Sequence, residues 1–365
     1  VNLARFDHTV APAKLRATVE RPEGVAEQVA EILADVRRNG DEAIAKLSAR
    51  FERTEPGAHA LRVRDDELSE AKHAVGREVL DALETARENV RALCLAQRRS
   101  DASVELQQGQ RIEITQSPVR RVGAYIPGGR ASYPSTVVMC AVTAEAAGVE
   151  QFCVCTPPAP DGGLPSAVLA ACDICGVSEV FRVGGAQAVA ALAYGTESVP
   201  AVDVIVGPGN SYVQEAKRQL AGYTGIDSIA GPSELVVVAT EPADASLVAL
   251  DLAAQAEHGP DSFLCLISPD DSLLEACESQ LSELSRRPTS TDASVAIVKA
   301  RDVGQAIRLA DALAPEHLQV VGEQAEGLVD QIRTAGCVFV GRDSATAFGD
   351  YVVGTNHVLP TAGSA

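Results

Sequence analysis

From about residue 110 onward, short β-rich runs alternate with helical ones, and this alternation constrains the fold more than any other feature. The strand candidates are Gln151–Thr156, Glu179–Val183, Val202–Val206, Leu235–Ala239, Ser262–Ser268, Ala293–Val298 and Val338–Val340. The helix candidates between them are Ser135–Ala147, Pro165–Cys175, Ala186–Ala193, Tyr212–Leu220, Asp244–Glu257, Leu273–Leu284, Val303–Leu313 and Ala325–Ala335. A βαβα order predicts an α/β fold with mostly parallel sheets, because parallel neighbours need a crossover long enough to hold a helix. The first hundred residues read as helices instead. Pro22 to about Arg38 is amphipathic, a second helix opens at Gly40-Asp41 and runs to Phe51, and Arg77–Arg99 repeats apolar residues at helical spacing. The clusters Ile126-Pro127-Gly128-Gly129 and Ala230-Gly231-Pro232-Ser233 read as hinges around a compact α/β stretch, so one domain is expected to be inserted between two halves of another.

Composition supplies the core and removes several function classes. Hydrophobic residues are 46% of 365, ample for about two domains and incompatible with a disordered chain. No run approaches the ~18 apolar residues of a membrane-spanning helix, and the N-terminus lacks the apolar centre of a secretion signal. The net charge is −19, from 31 basic and 50 acidic residues, with no Lys/Arg block beyond pairs such as Arg98-Arg99 and Arg286-Arg287. That argues against a nucleic-acid partner. The nine cysteines lie mostly in apolar runs, among them Cys140, Cys153, Cys155, Cys265 and Cys337. They read as small buried hydrophobes in a reducing compartment. Cys172-x-x-Cys175 has no second pair at zinc-ribbon spacing.

Candidate chemistry is concentrated in a few segments. Gln255 and His258 are three apart at the end of an expected helix that Gly259-Pro260 stops, so both side chains share a face near the negative end of the helix dipole. An amide oxygen and an imidazole suit a zinc-like ion, although a histidine that simply meets the last helical carbonyls has the same pattern. Glu316-His317 can share proton transfer if both face a cleft; an exposed loop pair reads identically. Asp350 and His357 flank a glycine-containing segment and could serve a metal or a substrate, or be ordinary loop residues. Gly184-Gly185, Gly207-Pro208-Gly209 and Pro127-Gly128-Gly129 each follow a β-rich run. One such turn is usually a tight connection; three in one stretch favour a nucleotide or phosphate ligand, because free N–H groups at a helix start hold anions. None matches the dinucleotide fingerprint. Cys153 could attack an aldehyde, but its run Phe152-Cys153-Val154-Cys155 reads as a packed strand.

Taken together, VGAYIPGGRASYPSTVVMCAV (122–142), VFRVGGAQAVAALAYGTESVPAVDVIVGPGNSYVQEAKRQL (180–220), IAGPSE (229–234), QAEHGPDS (255–262), APEHL (314–318) and GDYVVGTNHVLPTAGSA (349–365) resemble the histidinol dehydrogenase family over nearly the whole chain. The resemblance implies two domains with mostly parallel, Rossmann-like sheets in an incomplete dinucleotide fold, plus a helical N-terminal region. It implies an N-terminal arm at 1–20 and an inserted NAD-binding domain at 122–234. Residues 21–121 and 235–365 would form the discontinuous α/β domain carrying the metal and acid/base residues. The implied reaction is zinc-dependent oxidation of L-histidinol through L-histidinaldehyde to L-histidine, reducing two NAD. By motif, Gln255, His258 and Asp350 would ligate one zinc per subunit, and Glu316 and His317 would be the acid/base residues. Ser233, Gln255, His258, His317, Asp350 and His357 would line the substrate site. Tyr125, Gln187 and Asn210 would contact NAD. The family works as a homodimer with shared active sites. Its C-terminal tail, with a further histidine ligand and a substrate-contacting glutamate, is expected to be absent from this chain.

Three other readings share these residues. A paralogue could oxidise another small polar alcohol, such as a sulfonated diol. A non-catalytic nucleotide- or metal-binding scaffold would follow from a missing tail. A metal hydrolase would use the same ligands but leave the Gly-rich turns unexplained. Manganese or cobalt would suit the same N/O donors. The absence of a leader and the free thiols point to cytoplasm; a removed plastid transit peptide would leave the same mature chain.

Overall fold

The computed structural model describes residues 2–19, 22–53, 60–128, 132–229, 231–286, 292–349, 352–356 and 358–361. The chain begins with β1 (Asn2–Phe6), α1 (Pro12–Arg16), α2 (Val25–Phe51), α3 (Asp65–Ala74) and α4 (Arg77–Gln97), then a hairpin of β2 (Ala102–Glu105) and β3 (Arg111–Ile114). A first α/β run follows: β4 (Arg121–Tyr125), α5 (Pro134–Ala147), β5 (Gln151–Thr156), α6 (Ser166–Ile174), β6 (Glu179–Arg182), α7 (Gly185–Tyr194), β7 (Val204–Val206), α8 (Ser211–Leu220) and β8 (Gly225–Ile226). The second run is β9 (Glu234–Ala239), α9 (Ala245–Ala256), β10 (Phe263–Ser268), α10 (Asp271–Leu284), β11 (Ser294–Lys299), α11 (Val303–Leu313), β12 (His317–Val321), α12 (Glu323–Glu326) and β13 (Cys337–Val340). Among the described residues, no helix is long and apolar enough to cross a membrane.

The two runs build two parallel sheets, as the alternation predicts. The smaller is ordered β6-β5-β4-β7-β8 and the larger β1-β11-β10-β9-β12-β13. Each run starts in the middle of its sheet, adds two strands to one side and then crosses to the other. In the smaller sheet the crossover separates β4 from β7; in the larger it separates β9 from β12. Every residue of β9 and β10 is buried, as expected for strands covered by helices on both faces. That is why LVVVA and FLCLI read as continuous apolar runs rather than alternating ones. Helix α7 is buried nearly all round because it lies between the small sheet and helices α2 and α8. Its alanines keep those helices close.

Three elements differ from the sequence expectation. The N-terminal arm is an edge strand and a short helix of the large sheet: β1 pairs parallel with β11, and Leu15 is fully buried beside Val236 and Leu318. The resemblance groups α2, α3 and α4 with residues 235–365, yet their apolar faces are buried against the small sheet and its helices. Val29, Val36 and Ile44 pack with Phe181 and Leu192, while Leu68, Leu83 and Val90 pack with Ala124 and Val137. Amphipathicity shows that a face is buried and not which sheet buries it. The helix expected over Ala325–Ala335 is only one turn of α12 and a 3₁₀ turn at Val329–Gln331, with Gly327 between them. The break expected at Gly40 is present: its φ of 51° interrupts α2, and the N–H of Asp41 donates to Glu197 Oε2 at 2.9 Å.

Candidate active site

Two sets of predicted residues gather at facing edges of the two sheets. In a parallel α/β sheet each helix ends where the next strand begins, so the amino edge of the large sheet is ringed by helix carboxyl ends. Those ends are the negative poles of the helix dipoles and favour a cation. Gln255 lies in the last turn of α9 and is buried; His258 follows two residues after the helix. His258 Nδ1 faces the Gln255 carbonyl at 3.3 Å. With Nδ1 as donor, Nε2 keeps its lone pair for a metal, the usual arrangement of a ligating imidazole.

At the same edge, β9 and β12 are neighbours, with His317 paired opposite Leu235. Glu316 and His317 are 7% and 5% exposed, so the loop-pair alternative does not hold. His317 is the first residue of β12, and its Nδ1 faces the Glu234 carbonyl at 3.1 Å and Glu316 Oε2 at 3.5 Å. Glu316 Oε2 accepts the N–H of Glu234 at 3.0 Å. Ser233 precedes β9, and its carbonyl accepts the N–H of Phe263 at 3.1 Å. The geometry therefore brings Ser233, Glu316 and His317 onto the ends of adjacent strands. Asp350 and His357 lie outside the described residues. Their neighbours are fixed: the Asn89 side chain donates to the Val352 carbonyl at 2.6 Å, Asn356 to Thr143 Oγ1 at 2.8 Å, and the Gly231 N–H to Thr361 Oγ1 at 2.9 Å. Among the described residues, no three His, Cys, Asp or Glu side chains are grouped as a metal would need. Gln255 and His258 are the part of the proposed ligand set that can be seen.

The second set lies at the carboxyl edge of the small sheet, beside the crossover between β4 and β7, where open α/β sheets bind ligands. Tyr125 ends β4 and is buried, which pushes its hydroxyl up to about 12. That hydroxyl accepts the Gly185 N–H at 3.3 Å. The neighbouring Gly184 N–H donates to Glu52 Oε1 at 2.6 Å, and Gln187 Nε2 lies 3.4 Å from the same oxygen. The N–H groups that sequence offered to an external anion are thus met from within the chain, Gly184 by the carboxylate of Glu52 at the end of α2 and Gly185 by the Tyr125 hydroxyl. Burial raises the Glu52 pKa above its ordinary value, against hydrogen bonds that lower it. After β7, a Cβ on Gly207 would sit 2.2 Å from the Tyr125 carbonyl oxygen, so only glycine lets these two turns touch. Asn210 caps α8, its side-chain oxygen accepting from Tyr212 and Val213. Beneath the turn, buried Lys217 donates to the Gly207 carbonyl at 3.0 Å and to Asp227. Tyr125 and Gln187 are therefore together, and Asn210 follows the turn that touches Tyr125. The rings of Tyr133, at the start of α5, and His258 are 6.5 Å apart, which links the two edges.

Cys153 is fully buried and its thiol is pushed up to about 12, so it packs rather than attacks. All nine cysteines are free, including Cys172 and Cys175. The sequence reading missed Glu52, Arg16, Glu234 and Lys217. Glu234 and Lys217 carried a signal, their places in the quoted IAGPSE (229–234) and VQEAKRQL (213–220) stretches. Arg16 meets Glu234 across 218 residues, a pairing no local pattern reveals.

A family model described as histidinol dehydrogenase matches residues 15–365. The chain is 46% identical over 348 residues to histidinol dehydrogenase of Gluconobacter oxydans (strain 621H), covering 93% of this chain and 81% of that one. It is 42% identical over 366 residues to the enzyme of Methanosarcina barkeri (strain Fusaro / DSM 804), covering 98% and 84%. The crystal structure of histidinol dehydrogenase from Elizabethkingia anophelis superposes with a TM-score of 0.89 at 32% identity, covering 98% of this chain and 85% of that one.

Proposed function

The chain belongs to the histidinol dehydrogenase family, and from that membership we propose that it oxidises L-histidinol through L-histidinaldehyde to L-histidine at the edge where Glu316 and His317 stand. It is an NAD-dependent oxidoreductase of histidine biosynthesis. The observation that carries the assignment of roles is the burial of Glu316 and His317 side by side, with His317 Nδ1 turned to a main-chain carbonyl.

The chemistry follows from that geometry. As the alcohol carbon loses hydride, its hydroxyl loses a proton, and the His317 imidazole is the base that takes it. The resulting aldehyde needs water before it can lose a second hydride. The Glu316 carboxylate takes a proton from that water as its oxygen bonds to the carbonyl carbon, while protonated His317 returns its proton to the carbonyl oxygen, giving the hydrate and a neutral imidazole. His317 then takes a hydrate proton as the second hydride leaves, which yields the carboxylic acid, and this loses its remaining proton to water as the carboxylate. NAD, when bound, supplies the hydride acceptor for both steps. Tyr125, Gln187 and Asn210 fit its site at the strand crossover, where glycine at position 207 lets the turn after β7 close on the Tyr125 backbone. We read residues 122–234 as the unit that carries it.

Gln255 and His258 fit a zinc ion by donor type and by their place at a helix carboxyl end, with Asp350 as the third ligand. One zinc per subunit, when bound, supplies a positive charge that orients the amino and imidazole nitrogens of the substrate. Ser233 and His357 complete the substrate contacts. A homodimer with shared sites is supported by the β2–β3 hairpin: Val104, Leu106, Ile112 and Ile114 are all exposed on it, and a two-stranded hairpin is at best marginal alone in water. The free thiols fit a reducing, cytoplasmic setting.

The test is NADH release with L-histidinol and added zinc, followed through single turnovers of the alcohol and aldehyde halves. About two NADH per histidine are expected, and Glu316→Gln should slow the aldehyde half more than the alcohol half. Equal slowing of both halves would refute the role given to Glu316. NADH release only with a different alcohol would reassign the substrate.

A further inference from the structure

The Glu316-His317 pair is held by a neighbouring strand as well as its own. Glu234, the first residue of β9 and only 3% exposed, meets it through three groups. Its N–H donates to Glu316 Oε2 at 3.0 Å, its carbonyl faces His317 Nδ1 at 3.1 Å, and its carboxylate accepts the Glu316 N–H at 3.3 Å. Arg16 of α1 completes the array. Its Nη1 donates to Glu234 Oε1 at 2.7 Å and its Nη2 to Oε2 at 3.2 Å, a two-pronged pair. The same Nη2 reaches the carbonyls of Leu313 and Ala314 at the end of α11. Ala314 has φ 43° and ψ 61°, a left-handed conformation that alanine rarely adopts. That turn delivers Pro315 and Glu316 to the site. The guanidinium also lies 4.9 Å from the centre of the Phe263 ring on β10.

We propose that Arg16 and Glu234 are positioning residues for the acid/base pair, the guanidinium fixing the turn at Ala314 and Glu234 setting where the Glu316 carboxylate and His317 Nε2 stand. The proposal rests on the reading of Glu316 and His317 as the groups that move protons. Its physical content is electrostatic as well as geometric. Two carboxylates, Glu234 and Glu316, are buried within reach of each other's N–H groups, and Arg16 places a fixed positive charge on the one that does no chemistry. An arginine suits this task because one planar fork can serve a carboxylate and helix-end carbonyls together. The arm that supplies it is tied down by the pairing of β1 with β11.

The experiment is a double-mutant cycle on the full chain with zinc and NAD, read as single-turnover rate constants for the two halves. Glu234→Gln keeps the size of the side chain, removes the charge and turns one accepting oxygen into a donor. It should slow the aldehyde half by about ten-fold or more, while KM for L-histidinol stays within about two-fold. In a Glu316→Gln background the same substitution should cost less than about two-fold, because its effect passes through Glu316. Arg16→Lys should retain more activity than Arg16→Gln; the Arg16 variants also serve if Glu234→Gln does not fold. A second full loss in the Glu316→Gln background, or a change confined to KM and melting temperature, would overturn the proposal and leave the acid/base reading intact. Wild-type rates in Glu316→Gln alone would remove that reading, and this proposal with it.

Discussion

Replacing Gly207 by alanine isolates one backbone contact at the carboxyl edge of the small sheet, the edge proposed for NAD. Gly207 has a φ of +104°, and the added Cβ would lie 2.2 Å from the Tyr125 carbonyl oxygen and 3.1 Å from its carbonyl carbon. Neither is the free end of a side chain, so the turn after β7 must move away from the end of β4. The left-handed conformation costs alanine about 1–2 kcal/mol, and forcing atoms into an occupied space about 1–3 kcal/mol more. Gly207→Ala should therefore destabilise by about 2–5 kcal/mol. Gly148→Ala is the internal control. Its φ is +90°, but its Cβ would meet only the Pro118 ring, at 3.6 Å, so it should lose just the conformational share, about 1–2 kcal/mol. Urea denaturation gives both stabilities, and calorimetric titration with NAD gives the functional consequence. NAD affinity should fall in Gly207→Ala and stay unchanged in Gly148→Ala, because only the first separates Tyr125 from the start of α8. Equal destabilisation of the two variants, or unaltered NAD binding in Gly207→Ala, would refute the reasoning.

Three further outcomes follow from the same geometry. Burial holds the Glu52 pKa above its ordinary 4.5, so the folded chain keeps this proton to higher pH than the unfolded chain does. Wild type then loses stability as pH rises from about 4.5 through the raised value, and Glu52→Gln should gain on it across that window; urea denaturation from about pH 4 to pH 7.5 that shows a constant gap would sink this account. His258→Ala should lose the bound metal by elemental analysis, since it removes a ligand at the end of α9; unchanged zinc content would reject the assignment. Lysine at both Val104 and Ile112, which pair across the hairpin, should shift the sedimentation of the protein to that of a monomer, because each buried aliphatic side chain contributes about 1.5–3 kcal/mol. A dimer that persists would place the interface elsewhere.

The parallel sheets were legible in the sequence because strands covered on both faces must be apolar throughout, and the helices between them carry start or stop signals, capping side chains at α8, α9 and α11 and glycine ends at α5 and α7. β5, β9 and β10 fall at or within a residue of the runs that announced them. The hairpin, β4, β12 and the two-residue β8 were not among the strand candidates. His317–Val321 is too mixed to stand out, with His317 and Gln319 among its five residues, and becomes a strand by pairing with β9 and β13. The motifs also named the residues of each edge, Tyr125 and Gln187 on one, Gln255, His258, Glu316 and His317 on the other.

Other features depend on tertiary structure. Amphipathic helices announce an apolar face without its partner, so only packing assigns α2, α3 and α4 to the small sheet. A lone Arg16 in a polar arm looks solvated until α1 folds it onto Glu234, 218 residues away. Glu52 at the end of a helix looks like surface charge until the Gly184 N–H claims it. Local sequence determines which backbone conformations and which faces are favourable, because those depend on neighbours within a few residues. Which charges are neutralised and which protons are held depends on groups brought together by burial, and that is decided only when the two sheets close around them.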